Sequence, residues 1–282
     1  METNSTLSRT PSYVLTGGLA ILFLFPIIWA AIASVSPSPG SSQVFGYGLG
    51  NYKTLYDSGV GLPTWLLNSV VISVLTVTFV LAVSMMGGYA FAKFSFPGKN
   101  VLFLSTLAIL MVPSATLLIP IYLLHNFART VPIIDQIANM NLVWLALVLG
   151  MFQLPFATYM MRISFESVPR ELEEAALVDG SGTFAAFRHI LLPLVRPGIV
   201  TVGLFAFLAA WNDFFAPLIL INSSAEQPLP LALVNLRQQT MGAVDFGSTE
   251  AGVVVMSIPC LILFLLLQRY YVQGFMSGAI KG

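Results

Sequence analysis

Charged side chains are scarce in this sequence: 12 Lys and Arg and 12 Asp and Glu among 282 residues, 9% in all. Soluble domains average about 25%, so too little polar surface exists to coat a water-facing globule. The two signs balance, which leaves no basic field for nucleic acid. A single cysteine, Cys260, excludes an internal disulfide and any CxxC metal cluster; inside an apolar run it reads as a small buried hydrophobe. No Gly-x-x-x-x-Gly-Lys-[Ser/Thr] loop is present, so nucleotide hydrolysis has no seat in this chain. His-Glu-x-x-His, Gly-x-Ser-x-Gly and a pair of intramembrane aspartates are missing too, which removes the parts for membrane proteolysis and argues against an enzyme. The glycine-rich run Gly46-Tyr47-Gly48-Leu49-Gly50 lacks the strand-to-helix setting of a dinucleotide site and reads as flexible backbone.

What the chain has instead is apolar length. Hydrophobic residues make up 57% and the mean hydropathy is +0.86. Crossing roughly 30 Å of hydrocarbon takes about 20 helical residues. Six stretches meet that length, near 14–35, 65–91, 101–123, 141–161, 198–221 and 249–272. The expected fold is therefore all-α and integral to the membrane, about six spans in one domain over 1–282, without internal repeats or an inserted hydrophilic domain. Arg9, the first apolar run and Ala31-Ile32-Ala33 imitate a secretory signal. That run is longer than a signal's apolar region of about 7–15 residues, and it is read as an uncleaved span.

Orientation follows from Lys and Arg in the loops. With the N-terminus inside, the inner segments hold Arg9, Lys93, Lys99, Arg162, Arg170, Arg188, Arg196, Arg269 and Lys281, and the outer ones only Lys53, Arg129 and Arg237. This positive-inside bias predicts that both termini are cytoplasmic. His125 and His189 then fall on opposite sides and cannot share a metal.

The longest inner loop, 162–197, is the informative one. Ser167 is a candidate N-cap, Pro169 suits a first helical turn, and Glu171, Glu173 and Glu174 favour the positive end of a helix dipole. Ala175 and Ala176 are helix formers without bulk, and Gly180 can end the helix in the left-handed conformation. A second helix is expected over Thr183–Leu192, with Phe184, Phe187 and Leu191 on one stripe, before Pro193 and Pro197 break the chain. Such a pair lies on the inner membrane face. Its small residues would let another protein approach and its carboxylates could meet arginines; equally, it could be a solvated surface helix.

The spacing Glu174-Ala175-Ala176, three residues, Gly180, nine residues, Ile190, one residue, Leu192-Pro193 resembles the EAA motif of ABC importer permeases without a gap. The resemblance implies a coupling-helix loop between spans four and five that docks into a cleft on a cytoplasmic ATPase, with Glu171, Glu174, Ala175, Ala176, Gly180, Ile190, Leu192 and Pro193 at the joint. It implies a bacterial inner membrane protein with four kinds of neighbour: a second permease subunit, an ABC ATPase dimer, an extracytoplasmic sugar-binding protein and lipid. This chain would bind no cofactor; ATP and Mg would sit on the ATPase. Trp211-Asn212-Asp213-Phe214 with Pro217-Leu218, and the ending Gln268-Arg269-Tyr270, Gly274-Phe275 and Gly278-Ala279-Ile280-Lys281-Gly282, are similar to the carbohydrate-uptake, maltose-type branch. In that branch the loop after span five meets the binding protein, which makes Gln238, Gln239 and Thr240 candidates.

Asp213 is the one acid deep in an expected span. Facing lipid it would cost several kcal/mol, so it should face a cavity or a partner. Trp211 and Asn212 suit a sugar, a ring for its apolar face and an amide for its hydroxyls; a structural bond or a gate is the competing reading. Asn68, Gln153 and Tyr159, with Tyr89, are further intramembrane polar groups, read either as cargo contacts or as bonds between helices. Pro113, Pro120, Pro155, Pro217 and Pro259 interrupt the expected spans, as ordinary kinks or as breaks lining a cavity. The alternative function is an ion-coupled secondary transporter or channel for small polar solutes, for which Asp213 alone is a thin supply of ionisable groups.

Overall fold

The apolar stretches become helices in the computed structural model, which describes residues 10–38, 42, 44–131, 140–239 and 245–279. In chain order these are α1 (Thr10–Val35), α2 (Gly50–Asp57), α3 (Leu62–Lys93), α4 (Lys99–Ala108, prolonged by a 3-10 turn to Met111) and α5 (Ser114–Ala128). There follow α6 (Asn141–Glu166), α7 (Arg170–Val178), α8 (Thr183–Leu194), α9 (Arg196–Asn212), α10 (Phe215–Leu220), α11 (Leu229–Gln239) and α12 (Phe246–Ala279). No strand occurs among the described residues. By length and apolarity α1, α3, α6 and α12 can each cross a membrane, and the count reaches six when two bent helix pairs are taken as spans. The fold is all-α and belongs to the membrane.

Two expected spans are not straight. The third, expected over 101–123, breaks between α4 and α5, which meet at 101°. The cause is local: Val112 is extended (φ −89°, ψ 120°), as the residue before a proline is driven to be, and Pro113, itself extended (φ −60°, ψ 124°), stands just ahead of α5 as its N-cap. The fifth, expected over 198–221, stops at Asn212. Asp213 is extended (φ −69°, ψ 133°), and a separate short helix, α10, carries Pro217. Pro120, Pro155 and Pro259 lie within helices, where water and neighbouring helices can satisfy the carbonyls they free.

The described contacts divide the chain into two units. One holds the residues up to Pro63 with Ala232–Pro259; the other holds Thr64–Leu231 with the residues from Cys260 on. In the first, a buried polar network ties α1, α2 and the start of α12. Asn51 donates to the carbonyls of Ser34 (2.9 Å) and Ser36 (2.8 Å), and the Ser248 hydroxyl donates to the Asn51 carbonyl (3.2 Å). Asp245 accepts from the Ser38 hydroxyl (2.9 Å) and from the Ser248 N–H (3.0 Å), capping α12. Asn51, Ser34, Ser38, Asp245 and Ser248 are buried and Ser36 is half-buried, and a network satisfied in this way rigidifies the elements it joins.

The second unit is built on α6. At 26 residues it is about 39 Å long, and α3 at 32 residues about 48 Å, so both outreach roughly 30 Å of hydrocarbon. The buried face of α3 is largely a row of small side chains, Ser69, Ser73, Thr76, Ser84, Gly88 and Ala92, interrupted by Ile72 and Val80, with Trp65 and Asn68 at its start. Small residues let helices approach closely where hydrophobicity cannot drive them together. Thr76 donates across to the Ala146 carbonyl (3.1 Å), and at Gly88 a methyl group would lie 2.9 Å from the Arg162 nitrogen. Two apolar clusters stack along these helices. One gathers Ile72, Leu145, Leu149, Ala210 and Leu220; the other gathers Val80, Met161, Phe165, Leu191 and Val202.

Candidate functional site

The loop between α6 and α9 folds as two helices, with one change at its start. Ser167 does not cap α7: its hydroxyl donates back to the Ser164 carbonyl (2.8 Å), and the helix begins after Pro169. At the other end Gly180 takes φ +86°, and the Ser181 N–H donates to the Ala176 carbonyl (2.9 Å). This is the closing bond of a Schellman turn, open to glycine at little cost. α8 contains a π-turn over Phe187–Leu191, and the expected apolar stripe splits there. Leu191 is fully buried and Phe187 half-buried, whereas Phe184 is 74% exposed.

The residues singled out by the motif divide by environment. Glu171, Glu174, Ala175, Gly180 and Pro193 are exposed; Ile190 and Leu192 are half-buried; Ala176 is buried. Beside them stand exposed apolar groups, Leu172 at 44% and Val178 at 87%. The base of the loop is pinned to α3. Lys93 Nζ donates to the Val168 carbonyl (2.8 Å), and the Tyr89 hydroxyl donates to Glu173 Oε1 (2.6 Å). Arg162, just before the loop, pairs with Glu166 (2.7 Å) and lies 3.9 Å over the Phe103 ring. Sequence reasoning missed the Tyr89–Glu173 bond, whose partners are 84 residues apart.

At the break in the fifth span, Trp211 is buried and stacks on Phe207 at 5.4 Å. The exposed Asn212 donates to the Leu208 carbonyl (2.8 Å). Asp213 is half-buried, and its Oδ1 accepts the Ala216 N–H (2.9 Å). Asn68 lies elsewhere, donating to the Ala225 (2.9 Å) and Gln227 (3.1 Å) carbonyls. The same turn is held by Asn141, which donates to Glu226 (2.6 Å), and by Ser69, which accepts from the Leu229 N–H (2.8 Å). Tyr159 stacks on Phe103 at 6.3 Å and Gln153 is half-buried in α6. Among the described residues no hydrogen bond joins Asn68, Gln153 or Tyr159 to Asp213, so only Trp211, Asn212 and Asp213 form a group. The segment after span five, expected as a loop over 222–246, contains the 11-residue helix α11, with Leu229, Leu231 and Ala232 buried. Thr240 and the side chains of Gln238 and Gln239 lie outside the described residues, as do the side chains of the C-terminal motif from Arg269 on.

His125 is buried and stacks on Trp144 at 5.1 Å, and His189 is exposed, bonded to the Ala185 carbonyl (3.1 Å). No three His, Cys, Asp or Glu among the described residues come together to hold a metal.

Residues 84–276 match the family described as binding-protein-dependent transport system inner membrane component. The chain is 33% identical over 265 residues to a trehalose transport system permease protein of Mycobacterium tuberculosis, covering 92% of this chain and 93% of that one. It is 35% identical over 221 residues to a diacetylchitobiose uptake system permease protein of Streptomyces coelicolor, covering 78% and 76%. An arabinooligosaccharides transport system permease protein of Halalkalibacterium halodurans is 32% identical over 282 residues, covering 96% and 97%. In three dimensions the fold is similar to a chain of a bacterial ABC transporter involved in import of the acidic polysaccharide alginate, with a TM-score of 0.77 at 20% identity, covering 96% and 99%.

Proposed function

The chain belongs to the family of binding-protein-dependent transport system inner membrane components, and from that premise we propose that it is one permease subunit of an ATP-driven importer that brings a sugar, a di- or oligosaccharide or a related derivative, into the cytoplasm. The relatives named above carry trehalose, diacetylchitobiose and arabinooligosaccharides. They are alike in carbohydrate chemistry and differ in the sugar. A structural neighbour was captured with a pentasaccharide-bound periplasmic protein, which supports an extracytoplasmic binding protein as the donor of cargo here.

The observation that carries the proposal is the surface of the helix pair. Leu172, Val178 and Phe184 stand exposed beside the carboxylates of Glu171 and Glu174, on a loop between apolar helices. Large apolar groups collected in water call for a cover, and the carboxylates give that cover a charge to match. A cytoplasmic ATPase docked over Glu171, Glu174, Ala175, Ala176, Gly180, Ile190, Leu192 and Pro193 meets both demands. ATP and Mg belong to that ATPase, and this chain performs no chemistry. It holds two packings, open inward or outward, whose balance the ATPase shifts through the loop.

On the cargo side the broken fifth span supports a path through the membrane. Non-helical backbone at such depth is tolerated where it lines water or protein. Asn212 and Asp213 sit at that break, with Trp211, Asn68, Gln153 and Tyr159 as the wider set, and a second permease completes the wall. Gln238, Gln239 and Thr240 stand for the binding protein. The orientation has both termini in the cytoplasm of a bacterial cell.

The test is reconstitution. The complete importer in proteoliposomes takes up the sugar that stabilises its binding protein in a thermal-shift screen, and does so only with ATP inside. Uptake driven by an ion gradient, with no ATPase in the preparation, overturns the proposal.

A further inference from the structure

Three glutamates stand together on α7, and they do not share one environment. Glu171 and Glu174 are exposed; Glu173 is half-buried and turned toward α3. There it accepts the Tyr89 hydroxyl at 2.6 Å, a length typical of an O–H donor on a carboxylate. The Tyr89 ring meets three others edge-on: Phe187 at 5.0 Å, Phe94 at 5.4 Å and Phe165 at 5.5 Å. Phe187 belongs to α8 and Phe165 to the end of α6. One side chain therefore touches α7 through its hydroxyl and α8 through its ring, from a helix that spans the membrane. Its neighbour Gly88 is a place where α3 packs tightly on α6, against Met161 and Arg162. Lys93, one turn on, adds a second bond to the loop at the Val168 carbonyl.

We propose that Tyr89 and Glu173 form a tether that makes the loop of α7 and α8 move as one body with α3. The proposal rests on the docking reading above and adds to it where force leaves the loop. A loop merely tied at its two chain ends can be pulled without moving the bundle. A loop bonded in addition through its first helix, at Glu173, to a helix of 32 residues passes a displacement along that helix to the far side of the membrane. Tyr89 and Glu173 are positioning residues: neither touches the ATPase or the cargo. Edge-on aromatic contacts fix the ring's place, and the hydroxyl-to-carboxylate bond selects one rotation of α7 against it.

The experiment uses the complete importer in nanodiscs, with this chain as Cys260→Ser carrying spin labels at Leu67→Cys and Arg188→Cys. Both positions are exposed and lie outside the docking set, one near the outer end of α3 and one on α8. Pulsed electron resonance reads their separation at rest and after trapping with ATP and vanadate. The tether predicts one narrow distribution, the same in both states. Tyr89→Phe keeps the ring and loses the donor; on trapping it should show a second, displaced population, enriched about tenfold, as expected for losing a hydrogen bond to a charged group. Glu173→Gln keeps a neutral, weaker acceptor for the hydroxyl and should show less of the displaced population than Tyr89→Phe, which a defect in folding would not allow. A Tyr89→Phe distribution as narrow as the parent's in both states overturns the tether, and so does a parent distribution that shifts on trapping. An ATPase that fails to co-purify with the parent chain overturns the docking reading and the tether with it.

Discussion

The carboxylate of Asp213 accepts the backbone N–H of Ala216 at 2.9 Å, across the point where the fifth span changes from α9 to α10. An acid deep in an apolar segment thus closes a turn: one oxygen satisfies a donor that the break would leave bare, and the second remains for other partners. Asp213→Asn keeps that acceptor and should leave stability within about 0.5 kcal/mol, whereas Asp213→Ala should cost about 1 kcal/mol. In addition, Asp213→Ala should alter ATPase stimulation by cargo-loaded binding protein. Thermal unfolding in detergent and the ATPase assay check the two expectations, and normal transport with an unchanged substrate profile removes Asp213 from the cargo path.

Glu174 is exposed, and its side chain makes no hydrogen bond or ion pair among the described residues. Glu174→Ala is expected to leave the helical fold intact and to weaken retention of the ATPase by about tenfold, the loss of one interfacial charge contact. Titration of the ATPase onto the permease pair in detergent measures it. Normal binding and normal ATPase stimulation would count against the coupling role.

Gly180 tests the same joint through the backbone. At φ +86° an alanine is strained by about 1–2 kcal/mol, while nothing lies within 4 Å of where its methyl would sit. Gly180→Ala should therefore fray the end of α7 without disturbing packing. Faster hydrogen exchange at Asp179 and Ser181, with the membrane helices unchanged, is the expected result.

Between α3 and α6 two substitutions should act in opposite directions. Ser84 is fully buried and its hydroxyl has no hydrogen-bond partner among the described residues, so Ser84→Ala should be neutral or stabilising by up to about 1 kcal/mol. Gly88→Ala pushes a methyl against Met161 and the Arg162 backbone and should cost about 1–3 kcal/mol. Melting temperatures of the purified complex separate the two.

The 224–228 turn held by Asn68 supplies a further case. Its amide donates to both the Ala225 and the Gln227 carbonyls, so Asn68→Ala should release the 224–228 segment at a cost of about 1–3 kcal/mol. Protease sensitivity at that turn should rise while α3 stays protected.

Much of this architecture is readable from residue order, and what is not has identifiable causes. Apolar length locates α1 and α3 to within four residues and the starts of α6 and α12 to within three, while α6 runs on to Glu166 and α12 to Ala279, past the expected ends at 161 and 272. Pro113 and Pro155 look alike in sequence, yet one ends a helix and the other lies inside α6; the surrounding packing, absent from local sequence, decides. The break at Asp213 did leave a trace: an acid three residues ahead of a helix's interior N–H is a helix-start signal, masked here by the expectation of one continuous span. α11 was hidden by treating everything between spans as loop, although Leu229-Pro230-Leu231-Ala232-Leu233 opens as a helix does. The helix pair and the Gly180 turn were legible because capping chemistry is local. The Tyr89–Glu173 bond was not, since no spacing rule connects α3 to α7.

The account turns on residues 170–194 facing the cytoplasm under an ATPase. Labelling Val178→Cys, in a Cys260→Ser chain, with a membrane-impermeant maleimide tests this most directly. The account predicts no labelling in intact cells, labelling in inverted vesicles stripped of the ATPase, and protection when the ATPase is restored. Labelling of Val178→Cys from outside intact cells would contradict it.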